Sequence, residues 1–275
     1  MTEDARSRLQ LEARITATPC GDGEMVWRAW GDGPPVVLLH GAHGSWTHWI
    51  RNIGLLAMSA TVVVPDLPGH GDSALPAAPG DGLSHVRALS TGLRQLLGSE
   101  ERYTLVGFSF GATIAIRLAA HDGGRVGSLV LVGLGGFGER ARLPLESVRR
   151  VPDEAGREAA HRRNLEILMV ADPRTIDAGT VRIQRDNISG TRIEPGDITW
   201  PTATPAAVRQ LLQPPCVVYG DLDATIVPSA VQRREALLAF RPDADVRIIP
   251  AAGHWVQYEA PRPVEAIILE RSGAG

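Results

Sequence analysis

Cysteine is scarce in this sequence and lysine is absent. Both observations bear on the class of protein, the first on disulfide bonding and the second on charge. Two cysteines, Cys20 and Cys216, occur in 275 residues, which is too few for a disulfide framework. Cys216 begins an apolar run at residues 216–219, a context typical of a buried free thiol. All positive charge comes from arginine, the formal net charge is −3, and no basic block occurs. We therefore expect no nucleic-acid partner.

Long apolar segments are also missing. No run of about 18 apolar residues occurs, so we expect no transmembrane helix and no membrane partner. The first six residues are polar and acidic, which is not the composition of a secretory signal. We therefore expect a soluble, cytoplasmic protein. The length allows one large α/β domain with an insertion or two small domains, and the sequence leaves a homo-oligomer open.

Short apolar runs of strand length recur along the chain. They cover residues 35–39, 61–65, 103–106, 128–132, 214–220 and 245–249. Runs that are apolar throughout suit a parallel sheet that is covered on both faces. Helical patterns lie between or after these runs, at residues 46–56, 83–97, 112–120, 229–240 and 261–269. Alternating patterns in residues 9–18 and 24–30 flank a Gly-Asp-Gly turn and predict an opening hairpin. Together these patterns predict an α/β protein.

The composition changes in the middle of the chain. Residues 137–205 contain no long apolar strand, are dense in arginine, and carry helical patterns at 153–170 and 177–185. We predict that they form a helical cap inserted into a core made of residues 1–136 and 206–275. A separate C-terminal helical domain is the alternative, but the alternation of strand and helix resumes after residue 205, which disfavours it.

A candidate nucleophile lies in the segment Gly107-Phe108-Ser109-Phe110-Gly111. An apolar strand precedes it, and a helix of small residues follows it. A serine at a sharp turn from strand to helix has a strained backbone that exposes its hydroxyl group. Flanking glycines let neighbouring backbones approach closely. An ordinary glycine-rich turn is the alternative, which the flanking strand and helix disfavour.

A serine nucleophile needs a base, and eight histidines compete for that role. His254 follows the strand at 245–249 and completes the chain order serine, acid, histidine. Four competitors lie on loops expected near the same sheet edge; these are His40, His43, His48 and His70. Three others lie on predicted helices or their ends; these are His85, His121 and His161. We predict His254 as the base, the alternative being a structural loop histidine.

The acid that orients this base should follow the strand at 214–220. Asp223 lies three residues beyond Gly220, which leaves room for a turn that points its carboxylate toward His254. Asp221 lies at the turn itself, where local backbone amides are the expected partners. We therefore favour Asp223.

The oxyanion needs backbone N–H donors. Phe110 begins the helix after the nucleophile, where the helix dipole favours negative charge. Ala42, in the loop after the strand at 35–39, is the second candidate. The histidines of that loop raise a metal alternative, but Gly41 and Gly44 break any helical face and no zinc spacing is present. We expect no metal and no cofactor.

These motifs resemble those of α/β-hydrolase fold enzymes. The resemblance rests on His40-Gly41, the segment 66–73, Gly-Phe-Ser-Phe-Gly at 107–111, the segment 220–223 and Gly253-His254. It covers the predicted sheet domain nearly end to end. It implies a mostly parallel eight-stranded sheet flanked by helices, with a helical lid, and a Ser109-His254-Asp223 triad. The serine disfavours the epoxide hydrolase and haloalkane dehalogenase branches, which carry an aspartate there.

A narrower resemblance links residues 49–52 and 253–259 to the meta-cleavage product hydrolases, which cleave C–C bonds. Phe108 departs from the Gly-Asn-Ser usual in that family. The lid arginine that grips a substrate carboxylate there corresponds to either Arg182 or Arg185. An apolar substrate pocket is expected to involve Trp46, Phe108 and Trp255, although each aromatic is equally expected in a core.

The sequence therefore predicts a serine hydrolase that acts on a small-molecule substrate, a small or medium carboxylic ester. C–C bond hydrolysis of a vinylogous diketone is the first alternative. A ligand sensor that retains the triad is an alternative of another class. Acyl transfer and cofactor-free haloperoxidase chemistry are compatible with the same residues. The cap, which carries no motif, is expected to determine the substrate.

Overall fold

The computed structural model describes residues 2–139 and 141–273. The strands are β1 (Arg14–Cys20), β2 (Gly23–Trp30), β3 (Pro35–Leu39), β4 (Thr61–Pro65), β5 (Tyr103–Phe108), β6 (Val126–Val132), β7 (Cys216–Gly220) and β8 (Asp245–Ile249). The α-helices are α1 (Thr2–Glu12), α2 (Ile53–Leu56), α3 (Gly82–Leu97), α4 (Phe110–Asp122), α5 (Glu154–Asn164), α6 (Ala178–Ser189), α7 (Thr204–Arg209), α8 (Ala230–Phe240), α9 (Val256–Glu259) and α10 (Pro261–Ser272). None of the helices in these ranges is both long and apolar enough to cross a membrane.

The eight strands form one sheet in the order β1-β2-β4-β3-β5-β6-β7-β8. β2 pairs antiparallel with β1 and β4, and the other pairs, from β4 and β3 through to β7 and β8, are parallel. The predicted mostly parallel α/β sheet is therefore confirmed. Because parallel strands end at the same edge, the loops after β3, β5, β7 and β8 meet there. That edge holds the candidate site.

Both faces of the sheet are covered, which explains the uniformly apolar strands. All six residues of β5 are buried. On β3, Val36 and Leu38 belong to one buried cluster, and Val37 and Leu39 belong to another. Helix α10 contributes Ile268 to the first cluster, and helices α3 and α4 cover the second side. Successive side chains therefore alternate between two separate cores, one on each face.

The opening hairpin forms, but it begins later than the alternation suggests. Residues 2–12 are helix α1, and the first strand starts at Arg14. Leu9 is buried within the helix, and its carbonyl oxygen accepts a hydrogen bond from Trp30 Nε1 at 2.8 Å. Leu9, which the alternating pattern assigned to a strand, is thus one of the two buried residues of α1, the other being Thr2. The single helix predicted over 46–56 is also divided, into a 3₁₀ turn at Trp46–Trp49 and helix α2.

Helices α5, α6 and α7 lie between β6 and β7, where no strand of the sheet occurs. A π-helical turn, Leu165–Met169, continues α5. Hydrogen bonds tie this segment to the remainder of the chain. The Met169 carbonyl accepts from the Trp255 N–H at 2.7 Å, and Asn187 Oδ1 accepts from the Ser45 hydroxyl at 2.7 Å. The division into core residues 1–136 and 206–275 and a cap at 137–205 stays a prediction.

Candidate active site

Ser109 lies at the junction between β5 and α4. Its φ of 51° and ψ of −111° fall outside the regions that residues with a Cβ favour. The Ser109 N–H donates to the Val132 carbonyl at 2.8 Å, which anchors the turn against β6. A methyl group at Gly107 would overlap the Gly111 carbonyl, and one at Gly111 would overlap the His40 carbonyl. Glycine at both positions therefore lets strand, turn and neighbouring loop pack closely.

Three side chains from distant parts of the chain form a hydrogen-bonded series. His254 Nε2 lies 3.0 Å from Ser109 Oγ, and His254 Nδ1 lies 2.8 Å from Asp223 Oδ2. Ser109 follows β5, Asp223 follows β7 and His254 follows β8, so the shared sheet edge brings them together. This is the geometry that nucleophile activation by a base requires.

The Asp223 carboxylate is buried and held on both oxygens. Its Oδ1 accepts from the Thr225 N–H at 2.8 Å and from the Thr225 hydroxyl at 2.7 Å. Burial acts to raise the pKa of Asp223. The electrostatic attraction and hydrogen bond of His254, together with the hydrogen bonds of Thr225, outweigh burial and lower the pKa. Asp221 is exposed, and its Oδ1 accepts from the Ala252 N–H at 3.3 Å. Asp221 thus accepts from the loop after β8 and not from the local amides that were expected, while Asp223 faces the histidine.

Two of the competing loop histidines, His40 and His48, accept hydrogen bonds from backbone N–H groups. His40 Nε2 accepts from the Leu67 N–H at 2.8 Å, and His48 Nδ1 accepts from the Gly41 N–H at 3.2 Å. Burial lowers the pKa of His40 to about 4. Burial and neighbouring imidazole rings lower the pKa values of His48 and His70 well below the ordinary value. These rings are neutral at pH 7 and position the loops around the serine.

The remaining histidines lie away from the hydrogen-bonded series. His43 Nε2 is 3.6 Å from the Glu194 carboxylate. His85, His121 and His161 lie on α3, α4 and α5. Within residues 2–139 and 141–273, no three side chains of His, Cys, Asp or Glu converge as metal ligands would.

A cavity of about 320 Å³ opens beside the serine. Ser109, His254, Ala42 and Phe110 all line it, so the predicted oxyanion donors and the hydroxyl face one space. Phe110 is the first residue of α4, where N–H groups have no acceptor within the helix. A developing negative charge beside Ser109 would meet these donors and the positive end of the helix dipole.

The predicted pocket aromatics lie outside the lining of this cavity. Phe108 is buried under the histidine, with ring centroids 5.1 Å apart. Trp255 stacks on Tyr258 at 4.1 Å and donates to the His48 carbonyl at 2.8 Å. Trp46 packs on Trp30. All three predicted residues bury their apolar surface in the protein interior. They therefore pack behind the cavity wall and do not line it.

The predicted arginines lie elsewhere as well. Arg182 and Arg185 project from α6, about half exposed, into a separate groove between α5 and α6. Arg182 pairs with Glu3 at 3.6 Å, and Arg185 pairs with Asp186 at 3.1 Å. Their charge is therefore used in surface ion pairs.

Several residues that line the cavity were not predicted from the sequence, among them Trp200 and Arg233. Trp200 packs its ring against the Cα of Gly82 and under the Arg117 guanidinium, 4.3 Å from the ring centroid. Its irregular segment carried no periodic signal. Arg233 is buried on α8, next to the exposed Arg234. Nothing in an Arg-Arg pair marks which side chain faces inward.

Comparison with known proteins agrees with this architecture. Residues 36–267 match the family model described as the alpha/beta hydrolase family. The chain is 31% identical to the dihydrolipoyllysine-residue acetyltransferase component of the acetoin cleaving system of Pseudomonas putida, over 86% of this chain and 63% of that protein. It is 27% identical to 2-hydroxy-6-oxo-6-phenylhexa-2,4-dienoate hydrolase of Burkholderia cepacia, over 83% of this chain and 84% of that one.

A solved structure shows the same fold. The carboxylesterase CesB of Bacillus subtilis superimposes with a TM-score of 0.78 at 18% identity, covering 100% of this chain and 96% of that one. At this identity the likeness concerns the fold. The chain spans 63% of the length of the acetyltransferase component, so that protein's activity carries over only as a hypothesis.

Proposed function

This chain belongs to the alpha/beta hydrolase family, and from that membership we propose that it is a serine hydrolase of small or medium carboxylic esters. One observation carries the proposal. His254 bridges Ser109 and Asp223 at 3.0 and 2.8 Å, and the serine faces a cavity that Ala42 and Phe110 also line. A nucleophile, a base, an orienting acid and oxyanion donors are thus close together.

The proposed reaction begins at the histidine. Asp223 Oδ2 accepts a hydrogen bond from the Nδ1–H of His254, which holds the tautomer whose unprotonated Nε2 accepts the proton of Ser109. The serine oxygen attacks the ester carbonyl, and the N–H groups of Ala42 and Phe110 stabilise the oxyanion. The tetrahedral intermediate collapses, His254 returns the proton to the departing alcohol, and an acyl-serine remains. Water, deprotonated by His254, then attacks the acyl group, and its proton passes through the histidine to Ser109 as the acid is released.

We also assign residues 137–205 as a cap over this site. Five cavity-lining residues come from that segment: Gly138, Pro195, Gly196, Trp200 and Thr204. Its hydrogen bonds to Ser45 and Trp255 join it to loops near the sheet edge. Because the cap contributes one wall of the cavity, it restricts the size and shape of the substrate.

Trapping the acyl-serine tests the proposal. Wild-type protein treated with a fluorophosphonate should gain one adduct, which peptide mass analysis locates on Ser109. With 4-nitrophenyl acetate we expect a burst followed by many turnovers, because acylation outpaces deacylation. Ser109→Ala should lose the adduct and lower kcat by about 10⁴-fold or more. The exposed Ser99 offers a matched control, Ser99→Ala, which should behave as wild type.

Two outcomes would remove the proposal. Equal ester turnover by wild type and Ser109→Ala would show that the serine is not the nucleophile. A single slow turnover in wild type would instead indicate a sensor that retains the triad.

Similarity to the dienoate hydrolase of Burkholderia cepacia supports a second candidate, hydrolysis of a C–C bond in a vinylogous diketone. Phe108 stands where the meta-cleavage product hydrolases usually carry asparagine, and this departure favours the ester reaction over the C–C reaction. The yellow colour of 2-hydroxy-6-oxo-6-phenylhexa-2,4-dienoate reports the C–C reaction directly. No decay of that colour, together with turnover of the nitrophenyl ester, would reject this candidate.

A further inference from the structure

Arg233 is a buried cation in the wall of the candidate active site. It lies on α8, is 4% exposed, and lines the cavity together with Ser109 and His254. Its Nη2 donates to the Glu139 carbonyl at 2.6 Å. Its Nε is buried and has no hydrogen-bond partner. In the described part of the chain, no carboxylate lies within 4.0 Å of its guanidinium group.

Two of the other buried arginines are paired with carboxylates, whereas Arg117 donates to the Thr113 and Thr202 carbonyls. Arg28 lies 3.0 Å from Asp66, and Arg125 lies 2.7 Å from Asp122. A buried charge without a counterion is unfavourable, and an anionic ligand can supply the opposite charge. Of Arg117 and Arg233, neither of which has a carboxylate partner among the described residues, Arg233 is the one that lines the cavity. Its cavity-lining position and its charge, which no described carboxylate balances, therefore indicate an anion that the substrate supplies.

The cavity can receive such an anion. Among its described lining residues the ionisable side chains are Arg233 and His254, and no carboxylate is present to repel a negative group. Gly138, which also lines the cavity, leaves space beside the guanidinium, since a Cβ there would lie 3.5 Å from Arg233 Nε. The planar guanidinium fork matches the two oxygens of a carboxylate.

We propose that Arg233 binds a carboxylate of the substrate, so that the preferred esters carry a second, anionic group. The proposal deepens the ester hydrolase function and rests on it. One guanidinium neutralises one negative charge, which suits a carboxylate better than a phosphate monoester with nearly two. Arg233 is thus a specificity-determining residue, supplied by a helix of the core.

Matched ester pairs test this assignment. One pair carries the charge on the acyl side, 4-nitrophenyl hydrogen glutarate against 4-nitrophenyl pentanoate. The other carries it on the alcohol side, 4-carboxyphenyl butyrate against phenyl butyrate. In at least one pair we expect wild type to prefer the anionic ester by about 10- to 100-fold in kcat/KM, the range for a hydrogen bond to a charged group.

Variants then assign the preference to this side chain. Arg233→Met should lower kcat/KM for the preferred anionic ester by about 10- to 100-fold and change the neutral ester less than about threefold. Arg233→Lys should restore part of the difference, because the charge returns without the fork. The neighbouring exposed Arg234 is the control, and Arg234→Met should match wild type. No anionic preference in either pair, or equal losses on both esters in Arg233→Met, would overturn the proposal.

A binding measurement separates this proposal from the ester function. By calorimetry, the Ser109→Ala variant should bind pentanoate with a Kd at least about tenfold lower than its Kd for pentanamide. The double variant, Ser109→Ala with Arg233→Met, should lose that difference in Kd. If no ester is turned over but pentanoate binding depends on Arg233, the ester function fails and the anion site stands. If esters are turned over and pentanoate binds no better than pentanamide, the anion site fails alone. This comparison within Ser109→Ala holds even if Arg233→Met does not fold.

Discussion

Thr225 holds one oxygen of Asp223 with two hydrogen bonds, from its backbone N–H at 2.8 Å and from its hydroxyl at 2.7 Å. Both donors reach Oδ1, so Oδ2 remains directed at His254. The carboxylate therefore cannot rotate away without breaking the threonine contacts. This arrangement fixes Nδ1 as the ring nitrogen of His254 that bonds the carboxylate. We therefore assign Thr225 as a positioning residue for the proposed triad.

Two aspartates two residues apart permit a sharp test of the acid. Asp223→Asn should lower kcat by about 10³- to 10⁴-fold, because an amide favours the wrong tautomer of His254 and cannot stabilise its cation. Asp221→Asn changes the exposed turn residue by the same chemical step and should stay within about threefold of wild type. Steady-state kinetics on 4-nitrophenyl butyrate measures both. Comparable losses of kcat in the two variants would mean that Asp223 has a structural role only.

The threonine contact makes a smaller, separable contribution. Thr225→Val removes the hydroxyl donor and leaves the backbone N–H, so we expect kcat to fall by about 3- to 10-fold, part of what a hydrogen bond to a charged group contributes. Thr225→Ser keeps the hydroxyl and should retain most of the activity. An unchanged kcat in Thr225→Val would show that the backbone N–H alone positions Asp223.

Close packing at the serine turn predicts a large difference between two glycines. A methyl group at Gly111 would overlap the carbonyls of His40 and Leu39, whereas nothing lies within 4 Å of one at Gly124. Gly111→Ala should lower the free energy of unfolding by at least about 2 kcal/mol, as overpacking does. Gly124→Ala should change it by no more than about 1 kcal/mol. Urea denaturation at pH 7 measures both changes in unfolding free energy. Equal changes in the two variants would contradict the predicted clash at Gly111.

Acid pH should weaken the cap of α6. Burial acts to raise the pKa of Asp177, but hydrogen bonds from Thr180 and Thr2 outweigh it and lower the pKa to about 2 from the ordinary 3.8. A lowered pKa means that the ionised group stabilises the fold above pH 3.8 and loses this effect as the pH falls toward 2.

The matching variant is Asp177→Ala, which should cost about 1 kcal/mol of unfolding free energy at pH 7, the usual value for an N-cap. The difference from wild type should be smaller at pH 3, where part of the wild-type stabilisation is already lost. Asp177→Asn should recover part of the pH 7 loss, since an amide still caps the helix. A difference that is the same at both pH values would show that the charge is irrelevant.

Much of the fold follows from local patterns. The apolar runs at residues 35–39 and 61–65 became β3 and β4 with the same bounds, because a strand buried on both faces needs apolar side chains at every position. The hairpin begins later than the pattern predicts, because Leu9 fits an alternating pattern and also one of the two buried positions of α1. Helix and strand periods are hard to separate over so few residues.

The sequence by itself determined the strand order along the chain, the glycines around Ser109, and the candidate acid and base, because each follows from residue type and position relative to a strand. It could not determine which side chains line the cavity. Trp46 and Trp255 pack in the interior, Arg182 and Arg185 pair with surface carboxylates, and Arg233 lines the cavity that Ser109 also lines. Those directions depend on contacts between segments far apart in the chain, and only the tertiary structure brings such segments together.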